Sequence, residues 1–315
     1  MRKALIVGID DYPKRPLVGC VKDAQRITEA LSQHDDETPN FECKVLTGLP
    51  EPVTRAALAL NLKTLFSVPA DIALFYFSGH GAADKETRYL VTHDYARNDE
   101  GLPMERVLTL AQHAPIREVV ILLDCCYAGG MGGVPAIASD LAVLREGLTV
   151  VTASRSDQFA SETTAGGVFT SLVYEALRGG AADILGHVTM GSVYSYADQV
   201  LGAWDQRPLF KSHISTLTPL RKCAPRVDLK ILRLLPEYFS APDAELPLDP
   251  SYEPTELPSH EEHERIFSHL QKLRSADLVH PVGEEHLYYA AKNSKACRLT
   301  PLGKFYWHLA ARKRL

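Results

Sequence analysis

Apolar runs alternate with segments of helical periodicity along the first two thirds of the chain. Short runs rich in branched and aromatic residues predict strands, and apolar residues three and four positions apart predict helices. The predicted strands are 3–9, 42–46, 70–78, 118–125 and 148–153. The predicted helices are 20–33, 53–66, 104–112, 167–178 and 191–203. This alternation is typical of the α/β class and indicates a mostly parallel sheet sandwiched by helices.

The pattern changes beyond residue 222. Residues 236–259 contain six prolines and six acidic residues but no lysine or arginine, a composition that favours an extended segment over a packed one. We therefore predict a first domain, a Pro- and acid-rich linker and a small accessory domain. Their predicted ranges are 1–222, 223–258 and 259–315.

Residues 259–315 predict a helix, a strand and a terminal helix. The first helix carries an apolar stripe at Phe267 and Leu270, and the terminal helix follows the string LTPLG at 299–303. This order resembles the end of a winged-helix module. Seven basic residues and no acidic ones lie in 292–315. They form either a phosphate-binding face for nucleic acid or a solvated helix end whose cations complement the helix dipole.

Composition narrows the class of protein. With 45% apolar and 23% charged residues among 315, the chain matches an ordinary globular protein. The net charge of −5 gives no overall attraction to nucleic acid or to an anionic membrane. No CxxC pair suggests zinc, and no apolar stretch approaches the roughly 20 residues of a membrane span. Two aspartates break the N-terminal apolar stretch, which predicts a strand and not a signal peptide, so we expect a cytoplasmic protein with no membrane partner.

Two of the predicted strands end in residues that carry chemistry. The apolar run of VVILLDCCYAGG (119–130) ends just before Cys126, and that of IALFYFSGHG (72–81) ends just before His80. Ligands of open parallel sheets bind at the carboxyl ends of the strands. A thiol and an imidazole are therefore expected to meet there as a cysteine–histidine dyad.

Pairing with an imidazole supplies what a thiol lacks at neutral pH. A thiol with a pKa of about 8.5 is mostly protonated, although the thiolate is the nucleophile. An imidazole acts as the base for the thiol and later as the acid for the leaving amine. The N–H groups of Gly81 and Cys126 are expected to face the developing oxyanion. Strand alternation points Cys125 to the opposite side, into the core.

The strings YFSGHG and DCCYAGG resemble the histidine and cysteine motifs of caspase-like peptidases, and most closely those of metacaspases of the prokaryotic type. The histidine precedes the cysteine by about 50 residues in caspases, and His80 precedes Cys126 by 46 here. Tyr127 and Ala128 depart from the usual His-Ser of the metacaspase motif. Further strings, among them KALIVGIDDY and LVGCVKDAQRITEAL, follow the order of the family over 1–215. The resemblance implies a caspase-like fold and a cysteine endopeptidase.

The same resemblance implies a pocket for the side chain that precedes the scissile bond. The motif positions of this pocket fall on Cys20, Asp23, Ser78 and Asp124. Two carboxylates in one pocket repel each other, so a bound cation relieves strain whereas a bound carboxylate adds to it. We therefore predict protein substrates with exposed basic residues. Cleavage after arginine is expected to exceed cleavage after lysine because the guanidinium has a fork geometry.

Substrate binding and control are expected in the loops that follow the cysteine strand and the next strand. The substrate is expected to lie extended beside the strand end near Ala153, Ser154 and Ser156. Caspase relatives are often cut in the loop that corresponds to 130–147, and Arg145 within it suits the predicted specificity. We therefore predict a zymogen that is activated by proteolysis or by a regulator protein.

Other polar residues near these motifs have simpler interpretations. Asp94, Asp99 and Glu100 form either a calcium site of the kind many metacaspases use or a solvated loop, and no other cofactor is expected. His93, His113 and His187 lack strand ends framed by glycine and are predicted at the surface.

Two alternatives from other classes stay open. The chain could be a catalytically silent caspase fold that serves as a binding scaffold, or a DNA-binding regulator that acts through 259–315. The family association places an active enzyme in prokaryotic stress responses or anti-phage defence, an expectation that rests on analogy and not on residue chemistry.

Overall fold

The computed structural model describes most of the chain. The described residues are 1–48, 50–84, 87–96, 100–125, 144–153, 162–163, 166–201 and 208–315. Two compact units divide the chain, one of Met1–Ala182 with His187–Ala224 and one of Asp183–Gly186 with Pro225–Leu315. The main boundary lies two residues beyond the predicted end of the first domain at 222.

Strands and helices alternate in the first unit, as the sequence predicts. Its strands are β1 (Arg2–Gly8), β2 (Glu42–Leu46), β3 (Ala70–Ser78), β4 (Gly81–Ala83), β5 (Arg88–Leu90), β6 (Leu102–Pro103), β7 (Ile116–Asp124), β8 (Leu148–Thr152), β9 (Glu162–Thr163), β10 (Gly166–Gly167), β11 (His187–Val188), β12 (Leu209–His213) and β13 (Arg221–Lys222). Its helices are α1 (Cys20–Ser32), α2 (Arg55–Ser67), α3 (Met104–Gln112), α4 (Val168–Glu175) and α5 (Met190–Val200).

The centre of the first unit is a six-stranded sheet in the order β12-β8-β7-β3-β1-β2. Strands β2, β1, β3, β7 and β8 pair in parallel, and β12 pairs with β8 in the antiparallel direction. The register places Ser78 between Gly8 and Asp124, at the carboxyl ends of three adjacent strands. The predicted α/β class and mostly parallel sheet are confirmed.

Helices cover both faces of this sheet. On one face α2 and α3 contribute Leu58, Leu62 and Val107 to a core with Phe75 and Phe77 of β3. On the other face α1, α4 and α5 contribute the buried residues Ile27 and Val173, among others. Strands buried on both faces need continuous apolar runs, which is the pattern of β3 and β7.

Two features of the first unit have no clear signal in the sequence. A small antiparallel sheet of β4, β5 and β6 follows the histidine strand, and its strands of two or three residues are too short to show a period. The antiparallel edge strand β12 has the sequence LFKSH and is only half-buried. Its low apolar content gives no clear strand pattern in the sequence.

The second unit has its own helices, sheet and core. Its helices are α6 (Leu229–Arg233), α7 (Leu235–Tyr238), α8 (Glu261–Ser275), α9 (Leu287–Lys292) and α10 (Pro301–Ala311), and its strands are β14 (Glu245–Pro247), β15 (Val279–Val282) and β16 (Ala296–Leu299). The strands form an antiparallel sheet in the order β14-β16-β15. Phe267, Leu270 and Leu273 lie in the core of this unit, so the apolar stripe predicted for α8 is confirmed. The winged-helix resemblance of this unit stays a prediction.

The structure corrects the predicted linker over 223–258. Residues from Pro225 onward belong to the second unit, where Leu232, Leu235 and Phe239 are buried in its core. Two prolines of this segment lie at the start of helices: Pro236 is in the first turn of α7, and Pro250 begins a short 3-10 helix. Composition therefore misled the prediction, because these prolines start helices instead of keeping the chain extended.

The basic residues of 292–315 are partly neutralised by acids from elsewhere in the second unit. Lys292 forms an ion pair of 2.8 Å with Glu256, and Lys304 pairs with Asp243. Both acids lie in the segment that was predicted as a linker. Nucleic-acid binding through this unit stays a prediction. None of the helices in the described ranges has the length and apolar character that a bilayer crossing requires.

Candidate active site

His80 lies two residues beyond the end of β3, and hydrogen bonds fix its backbone on both sides. Its N–H donates to the Tyr12 hydroxyl at 3.0 Å, and its carbonyl accepts from the N–H of Val91 at 3.0 Å. Gly79 makes the turn feasible, because a Cβ at this position would overlap the Tyr12 hydroxyl oxygen. The glycine before the histidine is therefore required by Tyr12.

The imidazole of His80 is held in one tautomer. Its Nε2 lies 2.6 Å from the backbone carbonyl oxygen of Arg15. A carbonyl oxygen only accepts, so Nε2 carries the proton and Nδ1 is the nitrogen that can accept one. The His80 ring also packs against the Tyr12 ring, with 4.7 Å between centroids. A partly buried imidazole with a basic Nδ1 suits a general base.

The strand that leads to the predicted nucleophile lies beside the strand that leads to His80. Strand β7 ends at Asp124, which is opposite Ser78 in the register, and the N–H of Gly79 bonds the Asp124 carbonyl at 3.3 Å. Cys125 follows with 1% exposure in the core, as the alternation predicts. Cys126 itself lies outside the described residues, so its distance from His80 stays a prediction.

The structure brings together the two acids of the predicted pocket. Asp23 on α1 and Asp124 at the end of β7 are 1% and 7% exposed, respectively. The N–H of Gly167 donates to Asp23 Oδ2 at 2.8 Å. The N–H and the hydroxyl of Thr170 donate to Asp124 Oδ2 at 3.2 Å and 2.6 Å. Both carboxylates thus lie at the start of α4, where the helix dipole favours negative charge.

Burial makes both carboxyl groups reluctant to ionise. It raises the pKa of Asp23 to about 7; the hydrogen bond from Gly167 opposes this effect, and the charge of Asp124 adds to it. Burial also raises the pKa of Asp124, against the hydrogen bonds from Thr170. Asp23 Oδ1 is buried without a hydrogen-bond partner in the described part of the chain. A cation bound at this oxygen would satisfy it and stabilise the charged form.

The other residues of the predicted pocket lie nearby. Ser78 is buried between Gly8 and Asp124 in the sheet. Cys20 is buried at the start of α1, where its N–H donates to Asp10 Oδ1 at 2.8 Å. Contact of Cys20 and Ser78 with substrate stays a prediction.

The described part of the predicted substrate strand is a single residue. Ala153 follows β8 and is buried, and its N–H donates to the Leu123 carbonyl at 2.9 Å. Ser154 and Ser156 lie outside the described residues. Gly81 begins β4 and pairs with Leu90, and its oxyanion role stays a prediction.

Arg145, the predicted processing site, is anchored in the structure. Its guanidinium donates to the backbone carbonyls of Ala111, Ile116 and Glu146 at 3.0, 2.9 and 2.7 Å. Burial lowers its pKa. The anchor lies directly after the undescribed segment 126–143. Cleavage after Arg145 stays a prediction, and it would require these hydrogen bonds to break.

Among the acidic residues considered for calcium, Asp94 has other partners. Asp94 Oδ1 accepts from the N–H of Arg55 at 2.9 Å and from the Thr92 hydroxyl at 2.6 Å, so it caps the start of α2. Asp99 lies outside the described residues. Within the described ranges, no group of three or more His, Cys, Asp or Glu residues could hold a metal ion.

The predictions for the remaining histidines are mixed. His113 is exposed, as predicted. The prediction is wrong for His93, whose ring stacks on Tyr12 and whose Nδ1 accepts from the N–H of Val53 at 3.0 Å. His187 is half-buried in β11. The reason in both cases is a local strand or turn that the short polar pattern does not reveal.

Four residues of the site were not found by sequence reasoning. Tyr12 and Arg15 contact His80, and Gly167 and Thr170 hold the two acids. The string GIDDY places Tyr12 just after β1, which is a weak signal for a site residue. No signal could have singled out Arg15, which acts through its backbone.

Comparison with known proteins identifies the first unit. The family model of the caspase domain matches residues 1–217. Protein GSU0716 from Geobacter sulfurreducens is similar in structure, with a TM-score of 0.52, 15% identity and coverage of 71% of this chain and 97% of that chain. Caspase-1 from Spodoptera frugiperda gives a TM-score of 0.49, 14% identity and coverage of 70% and 90%. No curated protein matches the sequence.

The family match covers more than two thirds of the chain and lies almost entirely in the first unit. The six-stranded sheet, its helices on both faces and His80 at a strand end agree with it. The chain belongs to the caspase domain family, a family of cysteine peptidases.

Proposed function

We propose that this protein is a cysteine endopeptidase that uses a dyad of Cys126 and His80 and cleaves proteins after basic residues, with arginine preferred over lysine. The observation that carries the specificity is the convergence of Asp23 and Asp124 on Gly167. A buried carboxylate pair with one unsatisfied oxygen favours a cationic ligand over a neutral or acidic one. The similarity of the motifs to those of metacaspases agrees with this specificity.

The proposed reaction begins with transfer of the thiol proton from Cys126 to Nδ1 of His80. The thiolate attacks the scissile carbonyl, and the N–H groups of Gly81 and Cys126 stabilise the oxyanion. The imidazolium then protonates the leaving amine, and an acyl-enzyme forms. His80 next accepts a proton from water as the water oxygen attacks the thioester, and the imidazolium then returns this proton to the leaving sulfur, which releases the acid and restores the thiol. The Arg15 carbonyl keeps Nε2 protonated, so Nδ1 serves throughout as the exchanging nitrogen.

The pocket discriminates by charge and by shape. The basic side chain that precedes the scissile bond would meet Asp23 Oδ1, and Asp124 would add a second negative charge. Cys20 and Ser78 are small residues that leave room for a long side chain. A guanidinium presents a planar fork of donors to a carboxylate, whereas an ammonium is a point charge, so arginine gains more from this site.

Substrate backbone and activation involve the loops beyond β7 and β8. A substrate that lies extended beside Ala153, Ser154 and Ser156 would add a strand at this point. Cleavage in the loop before β8, including the bond after Arg145, or binding of a regulator protein would activate a zymogen. A role in prokaryotic stress or anti-phage defence fits such a switch.

A substrate series tests the proposal. Four peptides differ only in the residue before the scissile bond, which is arginine, lysine, citrulline or aspartate. We expect the order of kcat/KM to be arginine, lysine, citrulline, aspartate, because positive charge and then fork geometry decide binding. Faster cleavage of the citrulline or aspartate peptide would overturn the specificity.

Two neighbouring cysteines provide a matched pair of variants. Cys126→Ala is expected to abolish cleavage, whereas Cys125→Ala removes a buried thiol of the core and should retain activity despite some loss of stability. Labelling with an arginine-bearing electrophile should modify Cys126. Cleavage by Cys126→Ala would contradict the peptidase proposal, and so would a folded wild type that stays unlabelled and inactive after the loop before β8 has been cut.

A further inference from the structure

We infer that Tyr12 is a positioning residue for His80: its hydroxyl fixes the backbone of the histidine, and its ring limits the rotation of the imidazole. This inference rests on the proposed function, because it gives Tyr12 a role in the chemistry of the dyad. Tyr12 does not touch substrate in this account. It acts only through His80.

The hydroxyl of Tyr12 closes a ring of hydrogen bonds around His80. Its oxygen accepts the His80 N–H at 3.0 Å and donates to the Val91 carbonyl at 3.2 Å. The Val91 N–H in turn donates to the His80 carbonyl at 3.0 Å. Tyr12 is only 4% exposed, and burial raises its pKa well above the ordinary value, so the hydroxyl keeps its proton and can serve as donor and acceptor together. His80 is thereby tied to Val91, the residue that follows β5.

The ring of Tyr12 contacts two imidazoles. The His80 ring lies 4.7 Å from it with an interplanar angle of 51°, and the His93 ring stacks at 6.0 Å with an angle of 19°. His93 is itself anchored, because its Nδ1 and its N–H both bond the backbone of Val53 at 3.0 Å. Gly48 leaves space for His93, since a Cβ there would lie 2.6 Å from Cε1 of that ring. Tyr12, which contacts His80, is therefore also held by an anchored ring.

The segment that carries Tyr12 also carries the carbonyl that meets the imidazole. The Asp10 carbonyl accepts from the N–H groups of Tyr12 and Leu17 at 3.0 and 2.9 Å. The Asp10 carboxylate accepts from Cys20 at 2.8 Å and so closes the segment onto the start of α1. Arg15, inside it, adopts a φ of 60° and directs its carbonyl at His80 Nε2. One closed segment therefore sets both the backbone and the tautomer of the histidine.

Removal of the Tyr12 hydroxyl would take away the acceptor of the His80 N–H, while the aromatic contact stays. A misplacement of a catalytic group by about 1 Å can cost about a hundredfold in rate. We expect Tyr12→Phe to lower kcat by about tenfold to a hundredfold with KM changed by less than about twofold. This split is expected because the Tyr12 hydroxyl bonds the backbone of His80 and Val91, neither of which belongs to the predicted pocket, so substrate binding is preserved.

The experiment compares Tyr12→Phe with Tyr238→Phe. Tyr238 bonds Nδ1 of His269 at 2.6 Å in the second unit and so offers a tyrosine–histidine hydrogen bond that does not involve the unit of His80. Steady-state kinetics with the arginine peptide and the pH profile of Cys126 alkylation by a small neutral electrophile are measured for both. Tyr12→Phe should slow the alkylation and flatten its dependence on pH, whereas Tyr238→Phe should match the wild type. Wild-type kinetics in Tyr12→Phe would overturn the inference.

A nitrogen NMR measurement separates this inference from the peptidase proposal. The imidazole of His80 is observed in Cys126→Ala, with and without Tyr12→Phe, so no catalysis is needed. With Tyr12 in place, the His80 ring should show the Nε2-protonated tautomer alone. Tyr12→Phe should add the other tautomer or broaden the signal. An unchanged tautomer would refute the positioning role even if the protein cleaves peptides. A changed tautomer in a protein without peptidase activity would support the positioning role and refute only the proposed function.

Discussion

Asp23 and Asp124 approach Gly167 from two different elements, and the missing side chain of this glycine gives their carboxylates room. A Cβ on Gly167 would overlap Asp124 Oδ2 and would lie 3.3 Å from Asp23 Oδ2. The backbone at Gly167 has a φ of −66°, which any residue can adopt. The glycine is therefore needed for space and not for backbone conformation.

Gly167→Ala should damage the acidic pocket while the rest of the unit stays folded. The added methyl group must push Asp124 away from Thr170 or distort the start of α4. We expect kcat/KM for the arginine peptide to fall by more than about tenfold, and the free energy of unfolding to fall by about 1–3 kcal/mol. Gly191→Ala is the control, because a Cβ there meets the flexible end of Leu217 at 3.2 Å and lies at an ordinary contact distance of 3.8 Å from Thr189 Oγ1. Equal effects of the two substitutions would contradict the role of Gly167.

The raised pKa of Asp23 predicts that binding of a basic side chain depends on pH. Below about 7 the carboxyl group is protonated in the free protein, and a cation binds the ionised form. Affinity for the arginine peptide should therefore increase as the pH rises through about 7, by up to about tenfold per pH unit below that value. Calorimetry with Cys126→Ala measures the Kd without cleavage. The citrulline peptide should lack this dependence.

Asp23→Asn is the matched variant for this pH dependence. It should bind the arginine peptide weakly at every pH and lose the rise in affinity near 7.

In the free wild type the folded pKa of about 7 exceeds the ordinary value of 3.8. Asp23 therefore contributes stability that is present below 3.8 and is lost as the pH rises through about 7. A stability profile that is unchanged between Asp23→Asn and wild type would argue against the raised pKa.

The main elements and the histidine could be predicted from the sequence because they depend on local pattern. Strands buried on both faces require unbroken apolar runs, and such runs precede both His80 and Cys126. The residues that hold the site could not be predicted in this way. Tyr12, Arg15 and Thr170 act through contacts between segments that are far apart in the chain, and periodicity carries no information about such contacts.

The acidic pocket shows the same division between local and distant signals. The motif resemblance indicated Asp23 and Asp124, but nothing near those residues indicated that the start of α4 lies between them. In the second unit a composition signal was misleading. The many prolines and acids before α8 predicted a linker, although the spaced apolar residues Leu232, Leu235 and Phe239 form part of a core.

Thr170→Val should weaken the pocket without changing its volume. The threonine hydroxyl donates to Asp124 Oδ2 at 2.6 Å, and the Tyr76 hydroxyl lies 2.6 Å from the same threonine oxygen. Loss of this donor raises the pKa of Asp124 further, so less negative charge is available. Because a hydrogen bond to a charged group contributes about 1.5–3 kcal/mol, we expect KM for the arginine peptide to rise by roughly tenfold or more. Thr109→Val, which removes an exposed hydroxyl on α3, is the control.

Arg145 could serve as a processing site, as a structural anchor through its guanidinium, or as both, and substitutions distinguish these roles. If Arg145 is a processing site, Arg145→Lys still allows cleavage, because lysine also suits the proposed pocket, whereas Arg145→Gln blocks it. If the anchor matters, both variants lose the fork that bonds three carbonyls, and both should unfold at a lower temperature. We expect a loss of about 1–3 kcal/mol in the free energy of unfolding for each variant.

Intact mass and thermal unfolding measured on the same samples distinguish these roles. A new N-terminus at Glu146 in wild type and Arg145→Lys, but not in Arg145→Gln, would support processing at this bond. Because the guanidinium must leave the carbonyls of Ala111 and Ile116 before a protease can bind it, we expect loss of the anchor to outweigh the preference for arginine, so that cleavage is faster in Arg145→Lys than in wild type. Slower cleavage in Arg145→Lys, with unchanged stability, would show that the anchor does not protect the bond.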